Sequence, residues 1–190
     1  MKIGLFFGSF NPIHTGHLII ANYMAENTDL DRVWLIVSPQ NPHKQRSTLA
    51  DDHDRLYLAE LATQGNARLE VSDIEFDLPR PSFTVHTLAY LKEQQPDTQF
   101  VLIMGGDNLA TLPKWKNYEY ILQNHQIYVY RRPQYAEGEL AQHPNVRMFD
   151  VPQMEISSTF IRNLIQQGKS IRYLVPDAVM EEIDKGQLFR

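Results

Sequence analysis

Two imidazoles, His14 and His17, close the stretch Gly8-Ser9-Phe10-Asn11-Pro12-Ile13-His14-Thr15-Gly16-His17. A short apolar run, Ile3 to Phe7, precedes this stretch, and a helix-like segment follows it. These are the ingredients of a phosphate site. A strand ends, Gly8 permits a tight turn, and a helix opens with its free N–H groups and positive dipole end toward the loop. Ser9 adds a hydroxyl donor, and Gly16 lets a bulky ligand approach the backbone. Neither G-x-G-x-x-G nor G-x-x-x-x-G-K-[ST] occurs in the chain, so the usual dinucleotide and P-loop signatures are absent. Two other readings compete: a turn shaped by Gly8 and Pro12 with polar helix-start residues, or a metal site. Metal ligation is the weakest, because no carboxylate or third ligand stands nearby.

A second cluster lies in Ile156-Ser157-Ser158-Thr159-Phe160-Ile161-Arg162. Short hydroxyls are favoured at helix N-termini. Arg162, four residues after Ser158 and three after Thr159, shares a helix face with both. Hydroxyls, a helix N-terminus and a guanidinium make a phosphate clamp. Taken alone, the cluster reads equally well as a plain N-cap with a solvated arginine.

The elements that must position these groups follow from the apolar pattern. Strands are expected at Ile3–Phe7, Arg32–Val37, Arg68–Ser72, Phe100–Met104, Gln126–Tyr130 and Val146–Met148. Helices are expected at Thr15–Glu26, Asp51–Thr63, Ser82–Gln94, Ser158–Gln167 and Asp177–Lys185. In the second helix Leu56, Ala59, Leu61 and Ala62 form the apolar stripe; in the third, Val85, Leu88, Ala89 and Leu91 face inward. Continuously apolar strands separated by helices predict an α/β fold, a doubly wound parallel sheet covered on both faces. No linker, repeat or low-complexity tract divides it. One domain over residues 1–190 is expected, with the helical part from about 157 to 190 packed on it. Ligands of such sheets sit beyond the carboxyl ends of the strands, where both clusters fall.

Composition narrows the chemistry. The 190 residues include no Cys, which excludes disulfides, thiolate metal sites and a cysteine nucleophile, and fits a reducing, cytoplasmic setting. Lys and Arg number 18 against 23 Asp and Glu, a net charge of −5, which argues against a nucleic-acid partner. No apolar run approaches the roughly 20 residues of a membrane span. Self-association into a homo-oligomer is compatible with the sequence. Asp51-Asp52-His53-Asp54 looks metal-like but reads better as a solvated helix start.

The G-S-F-x-P turn followed by H-x-G-H resembles the nucleotidyltransferase superfamily, and I-S-S-T-F-I-R resembles its second signature, roughly 140 residues downstream. Further stretches resemble bacterial nicotinate-nucleotide adenylyltransferases along the whole chain. They are Ser38-Pro39-Gln40-Asn41-Pro42-His43-Lys44, Pro81-Ser82-Phe83-Thr84, Gly105-Gly106-Asp107-Asn108-Leu109, Leu112-Pro113-Lys114-Trp115-Lys116-Asn117-Tyr118, Arg131-Arg132-Pro133 and the ending Gly186-Gln187-Leu188-Phe189-Arg190. Asn11 stands where many members carry Asp, and Phe83 where many carry Tyr.

The resemblance implies a Rossmann-like nucleotidyltransferase fold. It also implies attack of the phosphate of nicotinate mononucleotide on the α-phosphorus of ATP, releasing pyrophosphate, with Mg²⁺ carried by the triphosphate and no covalent enzyme intermediate. In that case His14, His17, Lys44 and Arg162 are catalytic. Gly8, Ser9, Phe10, Gly16, Gly105, Asp107, Ile156, Ser157, Ser158 and Thr159 join His14, His17 and Arg162 around ATP. Asn41, Lys44, Phe83, Thr84, Trp115, Tyr118 and one of Arg131 and Arg132 face the acceptor, with Trp115 against its ring and Phe83-Thr84 at its carboxylate. Asp107 is expected to bind ribose hydroxyls or to cap the next helix. Nicotinamide mononucleotide or phosphopantetheine as acceptor would leave both signatures unchanged. A non-catalytic adenine-nucleotide-binding module would not need both imidazoles.

Overall fold

The computed structural model describes residues 1–39 and 49–190. Among them, six strands form one wholly parallel sheet: β1 (Lys2–Gly8), β2 (Arg32–Val37), β3 (Leu69–Ser72), β4 (Gln99–Gly105), β5 (Gln126–Tyr130) and β6 (Val146–Phe149). The helices are α1 (Thr15–Asn27), α2 (Asp52–Thr63), α3 (Thr84–Gln94), α4 (Gly106–Thr111), α5 (Tyr118–Asn124), α6 (Ser158–Gln166) and α7 (Asp177–Gly186). The strands lie in the order β3-β2-β1-β4-β5-β6. The chain winds outward from β1 to β3, crosses back through α3 to β4, then winds outward again. The β1–β4 boundary is therefore the topological switch point, where diverging connections open a crevice at the carboxyl ends.

The inner strands β1, β2, β4 and β5 are apolar on both sides because both faces are covered, while the edge strands β3 and β6 each bury a single residue. On one face Leu35, Val101, Ile103 and Tyr128 pack under Ile20, Met24, Leu58, Val179 and Ile183 of α1, α2 and α7. On the other, Ile3, Leu5, Leu102 and Val129 pack under Leu88, Leu91, Leu109 and Ile121 of α3, α4 and α5. The C-terminal helices thus share the layer of α1 and α2.

Two expected helix faces are corrected. In α2 the fully enclosed face is Arg55, Leu58, Ala59 and Thr63, while Leu56, Leu61 and Ala62 are only partly covered. In α3, Thr87 rather than Ala89 turns inward, because its hydroxyl donates to the buried carboxyl of Glu75. The strand, α1, α2, α6 and α7 expectations hold within a residue or two. Helix α3 starts at Thr84 rather than Ser82; a helix beside Asp107 is expected without a range and is found as α4, and α5 is not expected from the sequence.

Candidate active site

A cleft of about 780 Å³ opens at the switch point, over the carboxyl ends of β1 and β4. Its floor is the β1–α1 loop. His14 is the N-cap residue of α1, in extended conformation, and its Nδ1 accepts from the backbone N–H of His17 at 3.3 Å. The Nδ1 of His17 accepts in turn from the backbone N–H of His14 at 3.3 Å. The pair therefore forms a reciprocal capping box with imidazoles in the places of Ser/Thr and Glu. The rings stack with centroids 3.6 Å apart.

The capping geometry fixes the proton positions. A nitrogen that accepts from a backbone N–H carries no proton, so each neutral ring bears its hydrogen on Nε2. His14 is 5% exposed. Burial first, and the nearby Arg132 charge after it, hold its pKa down at about 4 against its own backbone hydrogen bond. It is thus a neutral Nε2–H donor at neutral pH.

Three neighbours fix this loop. Phe10, 1% exposed with φ +42°, sets its ring edge-on to His17 at 5.1 Å between centroids. Gly8 leaves the space that this ring fills, since a Cβ there would lie 2.7 Å from it. At Gly16 the close approach is made by His14 Nδ1, 3.1 Å from where a Cβ would be, so the glycine first makes room for an imidazole. Arg55, with no exposed surface, donates to the carbonyls of Ser9, Ser38, Pro39 and Ala50 and pairs with Asp52. It binds the β1 loop to the loop leaving β2. The sequence reading passed over Arg55, whose one signal is its place one turn inside an acidic helix start.

The second signature lines the same cleft, fastened to the loop that carries the imidazoles. Ser157 is the N-cap of α6, its Oγ accepting from the Phe160 N–H at 3.1 Å. Ser158 Oγ donates to the Pro12 carbonyl at 2.9 Å, and Arg162 Nη1 to the Asn11 carbonyl at 2.8 Å. The two sequence signatures are thus bonded directly to one another. Ser158 uses its one O–H within the protein, while Arg162 Nη2 reaches Thr159 Oγ1 at 3.3 Å. Ile156, Ser157, Ser158, Thr159 and Arg162 all line the cleft.

The other arm runs toward α3. Phe83, Thr84 and Trp115 line it, with Ser82, Lys114 and Lys116. Phe83 occupies the N-cap position of α3 without a side-chain cap, so the helix presents bare N–H groups there. Lys116 Nζ stands 4.7 Å from the Phe83 ring centroid. Trp115 is half-buried and packs partly into the lower core. Asp107 lies in the first turn of α4, past Gly105, and pairs with Arg132 at 3.1 Å rather than capping the helix. Arg132 faces the cleft over the Tyr130 ring.

Arg131 and Tyr118 are not brought to this cleft. Arg131 turns to Glu137 and Asp150, and both residues line a separate cavity of about 840 Å³ beyond α4. Asn41 and Lys44 lie outside the described residues. Asp51 caps α2 and Asp52 pairs with Arg55 and Arg80, which accounts for two members of the acidic cluster.

Comparison with known proteins sets this geometry in context. Residues 5–164 match the model of the cytidylyltransferase-like family. The chain is 55% identical to a protein of Flavobacterium johnsoniae named probable nicotinate-nucleotide adenylyltransferase, over all of both chains. It is 48% identical to a like-named protein of Bacteroides fragilis, over 96% of this chain and 90% of that one. A solved Plasmodium falciparum nicotinic acid mononucleotide adenylyltransferase complexed with NaAD superposes with a TM-score of 0.83 at 18% identity, covering 99% and 97% of the two chains. The same enzyme complexed with APC gives 0.82 at 17%, covering 99% and 96%. That structural likeness bears on the fold. With an imidazole pair capping α1, a hydroxyl–arginine cluster bonded to the same loop and full-length relatives, the chain belongs to the cytidylyltransferase-like family and, within it, to the nicotinate-nucleotide adenylyltransferases.

Proposed function

We propose that this protein transfers the adenylyl group of ATP to nicotinate mononucleotide, yielding the deamido dinucleotide and pyrophosphate, in NAD biosynthesis. The observation that carries the reading is the cleft itself. It is lined by two imidazoles at a helix N-terminus, by Thr159 and Arg162 fastened to the same loop, and by the uncapped N-terminus of α3 with Trp115. The relatives' names supply the substrate pair.

An oxygen of the acceptor phosphate forms the new bond to the α-phosphorus, and the bond from that phosphorus to the bridging oxygen of pyrophosphate breaks. The acceptor oxygen is already anionic near neutral pH, so no general base takes part. The protein's work is alignment and stabilisation of charge on the α-phosphate oxygens. The Nε2–H groups of His14 and His17 and the N-terminus of α1 serve the α-phosphate. Thr159, Arg162 and the N-terminus of α6 hold the leaving phosphates, and Lys44 is assigned to the same phosphates from the family resemblance. Asp107 and Arg132 lie at the ribose side. Thr84 and the α3 N–H groups receive the nicotinate carboxylate while Trp115 stacks on its ring.

The carboxylates lining the cleft are Asp107, engaged by Arg132, and Glu75. That donor set suits a Mg²⁺ ion ligated by triphosphate oxygens more than one caged by protein. No helix among the described residues is long and apolar enough to cross a membrane. A cytoplasmic location is part of this reading, supported by ATP as the adenylyl donor.

Assaying nicotinate mononucleotide, nicotinamide mononucleotide and phosphopantetheine with ATP tests the assignment. The nicotinate form is expected to have the highest kcat/KM; either of the others leading would refute the substrate choice.

A further inference from the structure

Glu75 lies between β3 and α3, behind the acceptor arm of the cleft, and is 2% exposed. Its Oε1 accepts from Thr87 Oγ1 at 2.7 Å, which fastens it to a fully buried position of α3. The Ser38 and Ser82 hydroxyls stand beside the same carboxyl, yet neither Glu75 Oε2 nor Ser82 Oγ completes a hydrogen bond. Burial pushes the carboxyl above the usual range, against the pull of these hydroxyls, and so favours its protonated form.

Ser38 is itself fixed. Its N–H donates to the Gly8 carbonyl at 2.9 Å and its carbonyl accepts from Arg55 Nη1 at 2.9 Å. Arg55 also holds the Ser9 carbonyl. A buried polar chain therefore runs behind the cleft from the phosphate loop at Ser9, through Arg55, Ser38 and Glu75, to Thr87 below the N-terminus of α3. Its two ends are the two places where the substrates must be held at a fixed separation.

We propose that Glu75 is a positioning residue for the acceptor, setting the Ser82–Thr84 turn and the α3 N-terminus at the spacing from the imidazole pair that transfer requires. This rests on the acceptor reading given above. The Thr87 bond to Oε1 and the Ser38 and Ser82 hydroxyls beside the carboxyl tie it to both sides of the acceptor arm.

Glu75→Gln and Glu75→Leu, assayed for both KM values, kcat and thermal midpoint, test the proposal. Glu75→Gln keeps the shape and the neutral polar contacts, and all four quantities are expected near wild type. Glu75→Leu removes the contacts, and its acceptor KM is expected to rise about tenfold or more while the ATP KM stays within about twofold. Thr87→Val, which deletes only the donor to Oε1, is expected to give a smaller rise of the same selectivity, and serves if the leucine variant does not fold. Equal shifts of both KM values, a lower midpoint with unchanged kinetics, or a glutamine variant as impaired as the leucine one would overturn the proposal. The assays use whichever of the three acceptors the wild type turns over best. A failure of the substrate assignment and a failure of this inference are then read separately.

Discussion

At the scale of single residues, the imidazole pair carries the most specific chemistry. Both Nδ1 atoms accept from backbone N–H groups, so each ring, when neutral, carries its proton on Nε2, and both residues line the cleft. Imidazole ¹⁵N spectra at pH 7 should show His14 neutral with its proton on Nε2, titrating only near pH 4. A ring that titrates near 6.5 would contradict the geometry. The shift also has a stability consequence. Between pH 6.5 and about 4 the unfolded ring binds a proton that the folded one refuses. Stability is therefore complete above pH 6.5 and declines as pH falls through this window, by at most about 3 kcal/mol from this group. His14→Asn, which can still cap the helix, should flatten that part of the pH–stability curve in urea titrations. Replacing His17 with Ala should lower kcat about a hundredfold or more, with the ATP Kd little changed; unaltered turnover would remove His17 from its role. The sequence made both histidines conspicuous, but their mutual capping was not legible in it, since tautomer and ring orientation depend on loop backbone geometry.

At the scale of elements, the cleft depends on loops held by buried polar groups. Arg55 satisfies four carbonyls and one carboxylate from a position with no exposed surface. Arg55→Met leaves those acceptors buried and unpaired, and urea unfolding should show a loss of about 3–5 kcal/mol. A loss below 1 kcal/mol would mean the loops hold without it. The helix pattern of the sequence hid this residue, as it hid Glu75 and Thr87, because charged and hydroxyl side chains read as solvent-facing. Their burial comes from elements distant in sequence closing over them. The bounds of α4 and the whole of α5 were missed for a related reason. At six and seven residues these helices are too short to be stable alone and exist because Leu109, Ile121 and Leu122 pack onto the sheet. The four inner strands were legible because β1, β2, β4 and β5 are continuously apolar, as a doubly covered sheet requires; β3 and β6 are shorter and carry polar residues.

At the scale of the whole molecule, a chain of net charge −5 must hold two polyanions. Lys114, Lys116, Arg132 and Arg162 stand against Asp107 and the protonation-favoured Glu75, so positive groups line the cleft in which both polyanions are proposed to bind. Both substrate KM values should rise a few-fold as salt is raised through the physiological range, with kcat nearly constant, because screening weakens capture more than alignment. KM values insensitive to salt would show that charge concentration contributes little. The proposed reaction, in which one nucleotide attacks the other directly, asks for no protein nucleophile. The stereochemistry of transfer from ATP carrying a chiral α-phosphorothioate tests this most directly. Inversion at the α-phosphorus of the dinucleotide is the predicted result, as one in-line displacement requires; retention would demand an adenylylated enzyme intermediate and contradict the account.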